Sequence, residues 1–170
     1  MNEELPELGQ GAAFRIDAMG HEADVTGRDV VEQSRYGFAP SLSLGLGTPT
    51  RLTLAYLHES ANDIPDYGIP YLGSQVVAVP RQNFYGFKSD YLKTGTDIVT
   101  LTAEHDFMEG VTLSNKLRYA AYSQNFRFSE PLIATTVPAT TPLNAVTVNR
   151  NVNTGINTQS MLWDQLDGVA

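Results

Sequence analysis

One stretch of the chain constrains its fold more than any other. Between Tyr36 and Leu46, large apolar residues alternate with Gly, Ala and Ser. Residues spaced by two lie on the same face of a β-strand, so this stretch predicts a strand with a leucine-rich face and a face of small side chains. A soluble core built on the small face would be poorly filled. The pattern therefore favours a strand whose leucine-rich face meets lipid and whose other face lines a lumen.

Weaker alternation of the same kind predicts the other strands of an all-β chain. In the stretch 97–107, for example, Val99 and Leu101 share one face, and Thr100 and Thr102 share the other. No stretch of about 18 apolar residues occurs, so the sequence offers no candidate transmembrane helix. The alternation predicts about six strands, within residues 12–20, 35–47, 51–60, 97–107, 111–128 and 158–170.

The connections between these strands alternate in length. The segments 47–50 and 108–110 are tight turns, whereas 21–34, 61–96 and 129–156 are long. Outer-membrane β-barrels have short turns at the periplasmic end and long loops at the outer end, and loops this long are uncommon in a compact domain. The connectivity therefore predicts an antiparallel up-and-down segment of a transmembrane β-barrel with long external loops.

Aromatic residues support this interpretation, because under it they gather at both ends of the apolar band. Aromatic side chains mark the two membrane interfaces of outer-membrane barrels, although Tyr and Phe are also common in any strand. Those near the periplasmic end are Phe14 and Phe107, and those near the outer end are Tyr36, Phe38, Tyr119 and Tyr122.

Charge and composition argue against several functions. The chain carries 11 Lys and Arg against 19 Asp and Glu, a net charge of −8, which provides no basic surface for nucleic acid. Cysteine is absent and the His residues are scattered singly, so we predict no metal site. Glu104, His105 and Asp106 are adjacent in a strand and cannot converge, so we predict no catalytic residues and no enzyme. The acidic loop residues, interpreted as a solvated exterior, are Glu22, Asp24, Asp29, Glu32, Asp63, Asp66 and Asp90.

Short motifs in the longest connection are more specific. Residues 66–71 read DYGIPY and residues 79–86 read VPRQNFYG. Together they resemble an external loop of TonB-dependent siderophore receptors, nearest to the catecholate type. The resemblance covers most of residues 9–128, and its further motifs are GAAFR at 11–15, GRD at 27–29, APSL at 39–42, GLGTPTR at 45–51 and NKLRY at 115–119.

This resemblance implies a 22-stranded outer-membrane barrel closed by a plug domain. Members of the family also carry a signal peptide and a TonB box, and we find neither these nor a plug in the sequence. We therefore expect residues 1–170 to be a partial barrel domain. Its long external loops are predicted at 21–34, 61–96 and 129–156.

The resemblance also implies a function, namely binding of a ferric siderophore and its import with TonB-coupled energy across the outer membrane of a Gram-negative bacterium. The implied partners are the siderophore, outer-membrane lipid and, through the plug, the TonB complex. The siderophore holds the iron, so the protein needs no cofactor. Cationic and aromatic groups suit such an anionic, ring-bearing ligand, and the 61–96 segment offers Tyr67, Tyr71, Arg81, Phe84, Tyr85, Phe87, Lys88, Tyr91 and Lys93.

A purely structural role is the alternative to ligand binding for each predicted site residue. The loop aromatics can pack the loop against its neighbours, as compact loops commonly do. Three basic residues, Arg15, Lys116 and Arg118, are predicted to face the lumen. The alternative for them is pairing across strands with Asp17, Glu104 or Asp106.

A second function from another class stays open at this point. A soluble β-sandwich that binds a ligand such as a glycan would use the 61–96 segment for recognition. That fold requires a second sheet over the leucine-rich face, which includes Leu42, Leu54, Leu101 and Leu113. A small closed eight-stranded barrel also fits the length, but the strand count is too low for it.

Overall fold

The structure is a computed structural model that describes residues 2–9 and 11–169. Two short 3₁₀ helices, Pro6–Leu8 and Leu143–Ala145, accompany the strands. The strands are β1 (Asn2–Glu4), β2 (Ala13–Asp24), β3 (Glu32–Leu44), β4 (Thr50–Asp63), β5 (Tyr71–Leu72), β6 (Gln75–Val76), β7 (Tyr91–Met108), β8 (Val111–Leu132) and β9 (Asn149–Val169).

Seven of these strands form one antiparallel sheet in the order β1-β2-β3-β4-β7-β8-β9. Each strand pairs with the next large strand along the chain, so the connectivity is up-and-down, and β5 and β6 form a separate hairpin between β4 and β7. The predicted all-β, antiparallel up-and-down fold is confirmed. Within the described residues β1 and β9 are the sheet's edges, so the sheet does not close here into a small barrel.

The register places the predicted apolar residues in rows across the sheet. Leu42 lies opposite Leu54, which lies opposite Leu101, and the same row continues to Leu117. Residues that face each other in an antiparallel pair share one face of the sheet. Their side chains therefore form a continuous apolar surface, called here the leucine face.

The opposite surface, called here the polar face, carries small and charged residues. Ala55 lies opposite both Ser41 and Thr100, and Thr100 lies opposite Arg118. The Arg118 Nε donates a hydrogen bond of 3.1 Å to the Thr100 hydroxyl. The polar face thus has its own cross-strand contacts between side chains and does not resemble a hydrophobic core.

The sandwich interpretation is wrong. Leu54 on the leucine face is 49 % exposed and Leu101 is 37 % exposed, and in the described part of the chain the second sheet is only the β5–β6 hairpin. Thr100 and Ala120, on the polar face, are buried. A sheet that curls around its polar face produces this asymmetry.

The loops are shorter than the sequence predicts, and the predicted strands are longer, except that β3 keeps its predicted length of 13 residues and lies three residues earlier in the chain. The predicted connections 21–34, 61–96 and 129–156 contract to residues 25–31, 64–90 and 133–148. Backbone pairing continues past the apolar band, where polar residues lie on both faces and alternation no longer reveals the strand. The sequence also misses β1, because its residues carry no apolar alternation.

The β7–β8 turn lies within the predicted residues 108–110, whereas β3 ends at Leu44, so the β3–β4 turn begins at residue 45, two residues before its predicted start. The β3–β4 turn needs glycine at Gly45, which has φ of +73° and where an added Cβ would lie 2.1 Å from the Thr50 carbonyl oxygen. Among the described residues, neither helix has the length or apolar character to cross a membrane.

Candidate functional site

The 64–90 loop between β4 and β7 holds the motifs that the sequence singles out. It begins with a hydrogen bond of 2.9 Å from the Ile64 N–H to the Glu32 carbonyl oxygen. Its middle is the β5–β6 hairpin, whose turn contains Gly73 at φ of +64°. The Val77 N–H donates to the Pro70 carbonyl oxygen at 3.1 Å and closes the base of this hairpin.

The first end of the loop is bound to the 25–31 connection by Arg28. The Nε and Nη2 of Arg28 contact the two Asp66 carboxylate oxygens at 2.5 and 2.7 Å. The Arg28 Nη1 donates to the Arg81 carbonyl oxygen. A bidentate guanidinium–carboxylate pair fixes both distance and orientation, so this contact determines where the chain enters the loop.

The second end is bound to β8 by Asp90. Its side chain is 1 % exposed. The carboxylate accepts hydrogen bonds from the Phe87 N–H at 2.9 Å and from the Ser129 hydroxyl at 3.0 Å, and Arg127 Nε lies 3.5 Å away. A buried carboxylate needs such partners, and here they fold the end of the loop back onto the sheet.

An aromatic stack joins the loop to the polar face. The Tyr67 ring lies 4.6 Å from the Phe128 ring, which lies 5.1 Å from the Phe126 ring, and both pairs are stacked. Phe126 and Phe128 share the parity of Arg118 along β8, and the β7–β8 register is regular in this region. Tyr67 therefore lies on the polar side of the sheet.

A cavity of about 380 Å³ opens beside this stack. Tyr67 and Tyr71 both border it, and they are 50 % and 61 % exposed. The opposite wall is the end of β8 and the chain that follows it, from Glu130 to Thr135. Two of the predicted ligand-binding residues thus share one cavity with exposed aromatic surface.

Three predicted aromatic residues are half-buried and pack within the loop or against β9. The Tyr85 hydroxyl accepts from the Asn83 side-chain amide at 3.4 Å. Phe87 lies under the Arg150 guanidinium at 4.5 Å. The Phe84 ring occupies the space beside Gly86, where an added Cβ would lie 2.6 Å from it. These contacts match the structural alternative for Phe84, Tyr85 and Phe87.

Lys88 and Tyr91 lie in a different place from Tyr67. They border a larger concavity of about 740 Å³, together with Lys93 and the acidic residues Glu22 and Asp24. Tyr91 and Lys93 share the parity of Val99 along β7, so they lie on the leucine side. The Tyr91 hydroxyl donates to the Asn125 side chain at 3.1 Å, and Lys93 Nζ lies 5.3 Å from the Tyr91 ring centre. The predicted ligand-binding residues therefore do not form one site.

The remaining predicted residues have varied surroundings. Arg81 is exposed, and Arg28 contacts only its backbone oxygen. Arg15, Lys116 and Arg118 share the polar face. Arg15 pairs with Asp17 at 2.7 Å, but along its own strand rather than across strands. Glu104 and Asp106 pair instead with a residue of β4, Arg51, at 3.5 and 2.5 Å.

The interpretation of all seven acidic loop residues as a solvated exterior is wrong for three of them. Asp63, Asp66 and Asp90 are largely shielded and each pairs with an arginine, namely Arg35, Arg28 and Arg127 respectively. The sequence carries a partial signal for one pair, since Arg28 and Asp66 lie in two of the quoted motifs. Nothing in the sequence marks Phe128 or Ser129 as partners of the loop.

Comparison with known proteins adds independent information. No protein-family model matches the chain. The catecholate siderophore receptor Fiu of Escherichia coli strain K12 is 33 % identical over 93 % of the chain. The probable TonB-dependent siderophore receptor PiuA of Acinetobacter baumannii is 34 % identical over 74 % of it.

Solved structures agree with the sequence comparisons. The open form of the ferric-catecholate import receptor Fiu from E. coli K12 matches 98 % of the chain and 27 % of its own, with a TM-score of 0.85 and 31 % identity. The A. baumannii PiuA structure matches 97 % of the chain and 24 % of its own, with a TM-score of 0.80 and 29 % identity. In sequence, the chain spans 23 % of Fiu and 18 % of PiuA.

Proposed function

We propose that this chain, a homologue of the TonB-dependent siderophore receptors, forms part of the barrel wall and one external loop of a receptor that binds a ferric siderophore. The observation that carries the proposal is the fold match to a ferric-catecholate import receptor over 98 % of the chain at a TM-score of 0.85. The match includes the seven-stranded sheet and the loop between β4 and β7.

The leucine face supports a place in the outer membrane. Leu54, Leu101 and Leu117 are exposed in neighbouring strands, and such a surface is unfavourable in water. Acyl chains would cover it without a second protein layer. The polar face would then line the lumen, with Lys116 and Arg118 directed into it.

The cavity beside Tyr67 and Tyr71 is the part of the loop best suited to the ligand. Tyr67, which borders it, lies on the polar side, where a ligand entering the barrel would pass, and the exposed phenol rings of Tyr67 and Tyr71 offer flat surface to a catecholate ring. Lys116 and Arg118 lie lower on the same face and would attract an anionic chelate. Tyr91 lies on the leucine side and would not contact a ligand in the lumen.

Transport itself requires no chemistry from the side chains of this chain. The siderophore would keep its iron, so the chain needs no cofactor and acts as a receptor rather than an enzyme. Energy would come from the TonB complex through a plug domain, as it does in the family that the sequence resembles.

A binding experiment tests this proposal. The protein is expressed in an outer membrane, purified in detergent and titrated with a ferric catecholate chelate, with quenching of its intrinsic fluorescence as the signal. We expect Tyr71→Ala to weaken binding about tenfold, which corresponds to the loss of one aromatic contact of about 1.4 kcal/mol. Tyr36→Ala removes an exposed tyrosine from the leucine side and should leave the affinity unchanged.

Two outcomes would count against the proposal. If the unaltered protein does not bind the chelate, the proposed ligand class is wrong. If it binds and both variants bind equally well, the ligand does not use the cavity beside Tyr71.

A further inference from the structure

Arg28 brings together three segments that are distant in sequence. Its guanidinium binds the Asp66 carboxylate at one end of the 64–90 loop and the Arg81 carbonyl oxygen farther along the same loop. Next to it, the Asp29 N–H donates to the Gln82 carbonyl oxygen at 2.9 Å. The 25–31 connection therefore holds the loop at two separate points.

The Arg28–Asp66 pair is shielded from water. The two side chains are only 9 % and 17 % exposed, so the interaction is less screened than a surface ion pair. Lysine cannot replace arginine here, because an ammonium group cannot bind both carboxylate oxygens and a carbonyl oxygen in this planar arrangement. The contact is thus specific to the guanidinium.

The backbone of the 25–31 connection adopts an unfavourable conformation at one residue. Val30 has φ of +72°, a region that β-branched residues rarely adopt. Such a conformation persists only where surrounding contacts hold it. The contacts of Arg28 and Asp29 with the 64–90 loop lie directly before this residue.

The hydrogen bonds of Asp66 fix the backbone on both sides of Tyr67. While Asp66 accepts from Arg28, its Oδ1 also accepts from the Gly68 N–H at 2.8 Å. Tyr67 lies between these two fixed residues, and its ring stacks on Phe128 and borders the 380 Å³ cavity. The position of the ring therefore depends on the orientation of the Asp66 carboxylate.

We propose that Arg28 is a positioning residue for ligand binding, which holds the 64–90 loop in the conformation that presents Tyr67 and Tyr71 to the cavity. Arg28 itself does not touch the ligand. The role in binding rests on the proposed function, whereas the effect on the loop does not. Without Arg28 the loop would sample other conformations, and the ligand would have to bind the fraction that remains competent.

Hydrogen–deuterium exchange of Arg28→Lys, in the protein as its host expresses it, tests the effect on the loop. We expect amide exchange in residues 64–70 and 81–90 to accelerate at least about tenfold, because lysine keeps the charge but loses the bidentate pair with Asp66 and the bond to the Arg81 carbonyl oxygen. Exchange in β4 and β8 should not change. Arg15→Lys is the matched control, since Arg15 makes one exposed contact with Asp17, and it should alter neither region.

Titration with the ferric catecholate chelate, far below the melting temperature, tests the positioning role. We expect Arg28→Lys to raise Kd about tenfold, mainly through a slower association rate, while β4 and β8 keep their exchange rates. A merely structural role would leave Kd unchanged under these conditions. Asp66→Asn retains an acceptor for the Gly68 N–H but loses the charge, and it should have a smaller effect in the same direction.

Each outcome has a defined meaning. Unchanged loop exchange in Arg28→Lys overturns the proposal. Faster loop exchange with unchanged Kd overturns the positioning role. If the unaltered protein does not bind the chelate, the proposed function fails, and the exchange result alone still decides whether Arg28 holds the loop.

Discussion

The sheet and the 64–90 loop are stabilised in different ways. In the sheet, β7 and β8 pair from Tyr91 to Met108 with a single irregularity, between Asp106 and Met108, so many equivalent backbone hydrogen bonds stabilise the sheet. The loop is stabilised by the hydrogen bonds of a few side chains, chiefly Arg28, Asp66 and Asp90. The sheet should therefore tolerate most single polar changes, whereas the loop depends on individual residues.

The sheet and the loop should also respond to different kinds of substitution. The sheet should be sensitive to which face a substituted residue occupies, since one face is apolar and the other polar. The loop should be sensitive to loss of a hydrogen-bonding partner, since its charges are shielded. A substitution that changes the polarity of one face of the sheet should leave the loop almost unaffected, and a substitution that removes a hydrogen-bonding partner in the loop should leave the sheet almost unaffected.

The largest effect is expected on the leucine face. Leu54→Arg places a charge at the middle of the apolar band and should lower the free energy of unfolding in lipid by about 2–4 kcal/mol. A denaturant titration of the protein folded into lipid vesicles measures it.

Thr53→Arg is the matched control, because Thr53 neighbours Leu54 in sequence but lies on the polar face opposite Ser43. Its hydrogen bond of 2.9 Å with Ser43 would be lost, at a cost of about 1 kcal/mol. Equal losses for the two arginine variants would contradict the assignment of the faces.

Asp90→Ala should change the stability of the sheet less than Leu54→Arg does, but it should strongly increase the mobility of the 64–90 loop. The change removes the acceptor for the Phe87 N–H and the Ser129 hydroxyl. We expect protease cleavage within residues 64–90 to accelerate about tenfold, while the free energy of unfolding of the sheet changes by less than about 1 kcal/mol.

Lys88→Ala serves as the control for this variant, since Lys88 is an exposed residue of the same loop. It should leave cleavage at the unaltered rate. Cleavage that is equally fast in both variants, or a loss of sheet stability in Asp90→Ala, would show that the loop and the sheet are not independent.

The fold was more predictable from sequence than the site because the two depend on different information. Alternation at Leu42, Leu44, Leu52 and Leu54 reflects a local rule of strand geometry, so it identifies both strands and faces. Alternation gives no signal where both faces are polar, so the sequence predicts that β8 ends at 128 and β9 begins at 158, whereas in the structure they extend to Leu132 and Asn149.

The site depends on contacts between residues far apart in sequence. The sequence identifies Tyr67 and Tyr71 as aromatic residues of the loop, but only the structure places them at one cavity and places Tyr91 on the other side of the sheet. The shielding of Asp66 and Asp90 depends on Arg28 and Ser129, which are 38 and 39 residues away. No local pattern indicates such pairs.

The measurement that tests the central claim most directly is a nitroxide scan of β4 in lipid vesicles. The chain has no cysteine, so each single-cysteine variant from 51 to 56 would carry one label. We expect labels at 52, 54 and 56 to be accessible to oxygen, which partitions into lipid. Labels at 51, 53 and 55 should instead be accessible to a water-soluble nickel complex. Labels at 52 and 54 that are shielded from both reagents would show that another protein layer covers the leucine face, and would contradict the account.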